Sequence, residues 1–129
     1  MTIRRLLRTL ALAAVTTCLA LPGAEAATGF GALLKGTNFA AFPEADLKLF
    51  INFAESTVAS QPDGVPVHFN APGSGNSATM KVTKSYTRDG YSCRDLGGET
   101  TVKSSTEPFT LSYCRDKAGQ WRLASSTSP

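Results

Sequence analysis

The sequence predicts a small α+β domain in which one amphipathic helix packs on a five-stranded antiparallel meander sheet. Apolar residues recur first at three- and four-residue steps and later at every second position, which predicts a helix followed by strands. Cys93 and Cys114 lie at equal distances from the middle of one predicted β-hairpin. This placement indicates a disulfide between neighbouring strands.

The first 26 residues have the pattern of a secretion signal. A start rich in arginine precedes a mostly apolar run, Leu10–Leu21, which is short for a membrane span. Ala24-Glu25-Ala26 offers small residues to a signal peptidase, so we expect a mature chain without a transmembrane segment. Lipoprotein processing would cut before Cys18, but the preceding Val15-Thr16-Thr17 suits it poorly. We therefore expect a periplasmic protein rather than an outer-membrane lipoprotein or a secreted one.

The charge of the mature domain is nearly balanced. The signal removes three arginines and one glutamate from the 13 basic and 10 acidic side chains of the whole chain, which leaves ten basic and nine acidic. No lysine- or arginine-rich run remains, so we expect neither nucleic acid nor an anionic membrane as a partner. The remaining length suits one domain with a modest core.

The helix is predicted after a lead segment, residues 27–42, for which we expect a short helical turn and then an extended stretch. Pro43 suits the first helical position, and the turn sequence at residues 61–64 ends the helix. Glu44 and Asp46 complement the positive end of the helix dipole. The apolar stripe consists of Leu47, Phe50, Ile51, Ala54 and Val58.

Five strands of alternating polarity are predicted next, so that the domain spans residues 43–124. Residues 125–129 are small and polar, and we expect a disordered tail there. The first strand carries Val67 and Phe69, the second Ala78, Met80 and Val82, the third runs from Tyr91 to Val102, the fourth from Phe109 to Arg115, and the last carries Trp121 and Leu123.

The expected disulfide sets the strand register. Directly opposed cysteines place the hairpin turn at Lys103-Ser104, and Leu96 then faces Leu111. Three-residue loops with Gly90 and Gly119 in the left-handed conformation place the large apolar residues of four strands on one face. The disulfide then falls on the other, more exposed face, and its loop closure contributes about 3 kcal/mol in the chain-entropy model. This register pairs Val82 with Leu96, Tyr113 with Leu123, and Arg115 with Trp121.

The same register gathers three cations, Lys84, Arg94 and Arg115, beside Tyr113 and Trp121. Lys84 opposes Arg94, and like charges at opposed positions destabilise a sheet unless they are neutralised. One interpretation is a site for a small anion or a carboxylate ligand. The other is neutralisation by helix acids, with Arg115 stacked on Trp121. Those acids are Glu44, Asp46 and Glu55.

No convergent catalytic or metal-binding set is recognisable, so we expect no enzyme, no metal and no cofactor. His68 is the only histidine and lies in a predicted strand, which favours a surface residue over a zinc ligand. Asp95 and Glu99 share one strand face at about 13 Å, beyond the ~5–9.5 Å that glycosidases use. The cysteines lie too far apart in sequence for a Cys-x-x-Cys redox pair. A small hydrolase is disfavoured because no nucleophile, base and orienting group converge.

Three parts of the chain are similar to a known pattern. Residues 67–75 are similar to V-x-W-x-N-P-x-S/T-G, and Tyr91-Ser92-Cys93-Arg94 contains C-R. Cys114-Arg115 and Gly119-Gln120-Trp121 together are similar to C-R-x-x-D-G-x-W. In this the chain resembles the C-terminal domain of the 17 kDa outer-membrane surface antigens, over about residues 44–124. The resemblance implies an envelope protein with no settled activity. The sequence lacks the glycine zipper of many relatives and departs from the pattern at Phe69, Ala71 and Ala118.

These observations predict a non-enzymatic exported domain that binds or supports another envelope component, either a protein or part of the cell wall. The alternative is a secreted or periplasmic inhibitor or adhesive module. Its candidate contact surface is the exposed-looking loop Ala71–Asn76.

Overall fold

The computed structural model describes residues 34–127, with side-chain environments as far as residue 124. The predicted signal peptide, Cys18 and residues 27–33 of the lead segment lie outside this range. Within it, one α-helix and a five-stranded antiparallel sheet confirm the predicted α+β fold. The elements are a 3-10 helix at Asn38–Ala41, α1 at Glu44–Ser60, β1 at Val67–Asn70, β2 at Ser77–Arg88, β3 at Tyr91–Val102, β4 at Ser105–Arg115 and β5 at Trp121–Thr127.

The helix begins at Glu44, one residue later than predicted, because Pro43 keeps an extended backbone with ψ of 149°. Phe50, Ala54 and Val58 of the apolar stripe are fully buried against the sheet. Phe50 lies at the centre of a group of aromatic rings whose centroids are 4.7–6.0 Å apart, a range typical of tilted and edge-to-face packing. The rings of that group are those of Phe39, Phe42, Phe50, Phe69 and Phe109.

The strands follow one another in the order β1-β2-β3-β4-β5, which confirms the meander. In the β3–β4 hairpin, Cys93 opposes Cys114 and Leu96 opposes Leu111, as predicted. The cysteines form the disulfide, with their Cα atoms 4.0 Å apart. Strand β4 begins at Ser105 rather than at Phe109, since the tight turn lets pairing start directly after it.

The β2–β3 turn differs from the prediction of a three-residue loop. Arg88 pairs with Tyr91, so only Asp89 and Gly90 lie in the turn. Their φ angles of 50° and 80° are both left-handed. Such a two-residue turn matches the twist of the strands, and Asp-Gly is a favoured sequence for it.

A β-bulge compensates for the shorter turn. The register shifts between Val82 and Lys84, which leaves Thr83 as the extra residue on β2. Val82 therefore still opposes Leu96 on the helix-covered face, as predicted. The Thr83 side chain needs the space above Gly97, where an added Cβ would lie 2.9 Å from Thr83 Cγ2.

The β4–β5 loop confirms the prediction made for Gly119. Its φ of 84° is left-handed, and Asp116 N–H donates to the Gln120 carbonyl at 2.8 Å, which closes a three-residue loop. Strand β5 continues to Thr127, which pairs with Thr110. Residues 125–127 thus belong to the sheet rather than to a disordered tail, whereas residues 128–129 lie outside the described range.

Candidate functional site

The predicted cation cluster does not form. Because of the bulge, Ser85 opposes Arg94 and Lys84 opposes Asp95, so the expected pairing of Lys84 with Arg94 is wrong. Lys84 lies on the face of the sheet opposite the helix, where its Nζ is 5.1 Å from the centroid of the Tyr86 ring. A cation at this distance interacts favourably with the ring.

Arg94 binds the C-terminal end of α1, and its side chain is 15% exposed. Its guanidinium donates to the carbonyl of Val58 and, at 2.6 Å, to that of Gln61. It also donates to Asp63 Oδ1 at 2.8 Å, while its Nε donates to Ser85 Oγ at 3.0 Å. The last turn of α1 contains no basic residue, so Arg94 supplies from β3 the cation that the helix dipole favours. Arg94 is therefore part of the scaffold.

The ion pair also affects Asp63, because the hydrogen bond from Arg94 holds the pKa of that carboxyl below its usual value of 3.8. The partner of Arg94 was missed at the sequence level, since Asp63 lies in the turn after the helix. It is none of the three helix acids that were predicted, Glu44, Asp46 and Glu55.

Tyr113 and Trp121 belong to the core rather than to a binding surface. Tyr113 is 1% exposed, and among the described residues its hydroxyl has no hydrogen-bond partner. Burial raises the pKa of the Tyr113 hydroxyl, and the nearby negative charge of Glu55 adds to this. Trp121 is half-buried and packs against the edge of the core.

Of the predicted cluster, Lys84 and Arg115 stay exposed. Arg115 lies in what we call the hairpin-tip region, the turn residues 88–92 and 115–119. Its Nε donates to the Gly119 carbonyl at 3.3 Å. A Cβ on Gly119 would lie 3.4 Å from Arg115 Nη2, so the guanidinium rests on the turn. Within residues 34–127, neither Arg115 nor Lys117 has a carboxylate oxygen within 4.0 Å.

The two acids of the hairpin-tip region already have partners. Asp116 accepts from Gln120 N–H at 2.8 Å and from Arg122 Nε at 3.2 Å. The Gln120 N–H is the main cause that holds the pKa of Asp116 below its usual value. Asp89 lies 4.0 Å from Arg88. The charges of Arg115 and Lys117 therefore remain in excess.

Two open grooves flank this region. The first, of about 630 Å³, lies between the two turns and is lined mainly by polar residues. The second, of about 650 Å³, lies at the β4–β5 turn beside Cys114 and is lined largely by apolar residues. Both include Tyr91, which is 39% exposed. Sequence reasoning missed Tyr91 and Lys117 as surface residues of one site, although the Asp89-Gly90 turn signal could have placed them at the same end of the sheet.

The disulfide lies on the face opposite the helix, as predicted, but it is less exposed than expected. Cys93 is 1% exposed and Cys114 is half-buried. The reason is that Cys93 occupies the central strand, with Tyr86 opposite it on β2 and Cys114 on β4. The disulfide thus joins β3 and β4 next to the hairpin-tip region.

His68 is exposed on β1, as interpreted from the sequence. Its Nδ1 lies 2.9 Å from Thr79 Oγ1, and its Nε2 lies 3.2 Å from Asn70 Oδ1. All three side chains are exposed on paired strands, where a bound substrate would remain in water. Asp95 accepts a hydrogen bond from the Tyr86 hydroxyl at 2.8 Å. No group of three or more His, Cys, Asp or Glu residues in the described part of the chain could hold a metal ion.

The loop Ala71–Asn76 is closed by its own backbone and tied to the helix end of the domain. Ala71 N–H donates to the Asn76 carbonyl at 2.7 Å, and Asn76 Nδ2 donates to the Ala41 carbonyl at 3.3 Å. Gly73 N–H donates to Asp46 Oδ1 at 3.1 Å. Asp46 is 2% exposed, and a Cβ on Gly73 would lie only 2.9 Å from that oxygen. The exposed loop is therefore held in one conformation.

Comparison with protein-family models, with curated proteins and with solved structures finds no match to this chain. Between residues 34 and 127, no helix is both long enough and apolar enough to cross a membrane.

Proposed function

We propose that this protein is a non-enzymatic exported domain that binds another component of the cell envelope through the hairpin-tip region. The observation that carries the proposal is the pair of exposed cations, Arg115 and Lys117, which have no carboxylate partner in the described structure. Both lie at the β4–β5 turn, next to the disulfide, and binding residues are commonly carried by loops on a rigid scaffold.

The surface-antigen resemblance supports the same region. Cys114-Arg115 and Gly119-Gln120-Trp121, which carry part of the resemblance, form the end of β4, its turn and the start of β5. The disulfide supports an oxidising compartment, for which we propose the periplasm. The partner would then be an envelope protein or a cell-wall component.

Photo-crosslinking in intact cells tests the proposal directly. A photoreactive residue replaces Ala118 in the hairpin-tip region or Ser104 in the β3–β4 turn, which is an exposed turn at the opposite end of the same sheet. We expect a defined envelope partner to be captured from position 118 and not from position 104. Equal capture from both positions would contradict a specific role of the hairpin-tip region.

A second candidate function, an inhibitor or adhesive module, is favoured by the loop Ala71–Asn76. Its exposed residues are held by Asp46 and by the loop backbone, and a pre-organised loop loses little entropy on binding. A photoreactive residue at Ser74 separates the two functions. Capture from position 74 but not from position 118 would favour the inhibitor or adhesive module.

The non-enzymatic part of the proposal is tested at His68, the only imidazole of the chain. We expect no turnover of ester, peptide or glycan substrates above the background rate. Turnover that disappears in His68→Ala, with Thr79→Val as a second check on the neighbouring hydroxyl, would show that the domain is an enzyme.

A further inference from the structure

The second groove, at the β4–β5 turn beside the disulfide, combines an apolar surface with cations at its end. Its apolar lining comes from three strands and one turn, which places it beside the disulfide. Tyr91 contributes the largest exposed ring. A volume of about 650 Å³ is within the range of small-molecule sites in proteins. The apolar lining residues are Tyr91, Cys114, Ala118, Leu123 and Ala124.

The charged residues that line this groove are unequal in sign. Arg115, Lys117 and Arg122 are cationic, and Asp116 is the one acid among the described residues that line this groove. Both oxygens of Asp116 accept hydrogen bonds, from Gln120 N–H and Arg122 Nε. The groove therefore offers positive charge at one end and apolar surface along its length.

We infer that this groove binds a single amphipathic anion, an acyl chain that carries a carboxylate or phosphate head group. The head group would meet Arg115 and Lys117, and the chain would lie along Tyr91 and Ala124. Burial of each methylene group strengthens binding by up to about fourfold, so even partial burial distinguishes a chain from a bare anion. This inference rests on the proposed function because it uses the same region.

The ligand is inferred to bind as a single molecule rather than as a membrane surface. The described residues carry ten basic and nine acidic side chains, and binding to an anionic membrane depends on larger clusters of basic residues. The lining of this groove supplies three cations and one acid, which suits one anionic head group. The expected occupant is a free amphiphile.

Amide chemical shifts of the intact domain test the inference with three probes. Octanoate carries both chain and charge, acetate carries the charge alone, and octyl glucoside carries the chain alone. We expect octanoate to shift the amides of Tyr91, Ala118 and Ala124 at concentrations at least tenfold below those needed with acetate or octyl glucoside. Equal potency of octanoate and acetate, or shifts centred elsewhere, would overturn the inference.

Variants separate the head-group contact from the chain contact. Arg115→Gln combined with Lys117→Gln should weaken octanoate binding at least fivefold, whereas the matched control Lys103→Gln in the opposite turn should leave it unchanged. Ala124→Asp should abolish it by placing an anion in the groove. Unchanged octanoate binding in the double variant would overturn the head-group assignment.

Two further results distinguish this inference from the proposed function. Binding to vesicles of anionic phospholipid without binding of octanoate would contradict a single bound amphiphile. Failure of octanoate to bind while position 118 still crosslinks an envelope partner would overturn the ligand class and leave the proposed function standing.

Discussion

The two Cys-Arg pairs of this chain are joined by one disulfide, yet their arginines have opposite environments. Arg94, next to Cys93, is 15% exposed and donates to four acceptors around the end of the helix. Arg115, next to Cys114, is exposed and donates only within its own turn in the described structure. The same dipeptide therefore supports the scaffold in one strand and remains free for a partner in the next.

The position of each arginine relative to α1 explains the difference. Arg94 lies in the central strand, where the chain leaves the helix at Gln61, and the unpaired carbonyls there accept its hydrogen bonds. Arg115 is the last residue of β4, and its nearest acceptor is the carbonyl of Gly119. The two Cys-Arg pairs thus have the same sequence, but their arginines have different roles.

Removal of the link between the two pairs should have the largest effect. Replacing Cys93 and Cys114 with serine should lower the free energy of unfolding by about 3 kcal/mol, because the unfolded chain regains the freedom of the closed loop. Urea unfolding measures this loss. Reduction of the wild-type disulfide should give a similar loss. A change below about 1 kcal/mol would show that the disulfide contributes little to the stability of the domain.

Replacement of each arginine with methionine should lower the free energy of unfolding by different amounts. Arg94→Met should cost about 2 kcal/mol, because it leaves Asp63 and two carbonyls of the helix end without their charged donor. Arg115→Met should stay within about 0.5 kcal/mol of wild type, as is usual for exposed positions. Urea unfolding of both variants provides the comparison. Equal losses would contradict the assignment of Arg94 to the scaffold.

The loop Ala71–Asn76, at the other end of the sheet, gives a third test. Asp46 accepts a hydrogen bond from this loop, whereas Arg115 and Lys117 of the hairpin-tip region have no carboxylate partner in the described structure. Gly73→Ala should cost about 1–2 kcal/mol, because the new Cβ meets the Asp46 carboxylate. The cost should shrink by at least about 0.5 kcal/mol in an Asp46→Ala background. Ala118→Ser at the free end is the control, with almost no change expected. A cost of Gly73→Ala that is the same in both backgrounds would refute the contact.

The smallest expected effect is on pH dependence. Because Arg94 lowers the pKa of Asp63 in the folded state, the stabilisation from this pair is present above the ordinary value of 3.8 and is lost as the pH falls through the folded-state pKa. Arg94→Met should raise the pKa of Asp63 towards 3.8, whereas Arg115→Met should leave that of Asp116 unchanged. Carboxyl carbon NMR titration measures both. An unmoved Asp63 pKa would rule out the ion pair.

The sequence was sufficient to predict the β3–β4 register because a covalent bond between Cys93 and Cys114 leaves few alternatives. The pairing of Val82 with Leu96 was also right, although it results from a two-residue turn and a bulge rather than from a three-residue loop. Periodicity alone cannot locate a bulge, because the pattern on either side of Thr83 remains alternating.

The candidate site was harder to predict, since it depends on that bulge. One extra residue moved Lys84 to the other face and placed Ser85 beside Arg94, which removed the predicted cluster. The partner of Arg94, Asp63, comes from a turn whose path is set by tertiary packing rather than by local pattern. Arg115 stays exposed because it is the last residue of β4.

The central claim is that Arg115 binds a partner whereas Arg94 supports the scaffold. The most direct test uses the double variant Arg115→Gln and Lys117→Gln with the photoreactive residue at position 118, and measures how much envelope partner it captures. We predict at least a tenfold loss of capture with unchanged folding, while Lys103→Gln captures as the wild type does. Undiminished capture by the double variant would contradict the claim that the free cations of the hairpin-tip region bind the partner.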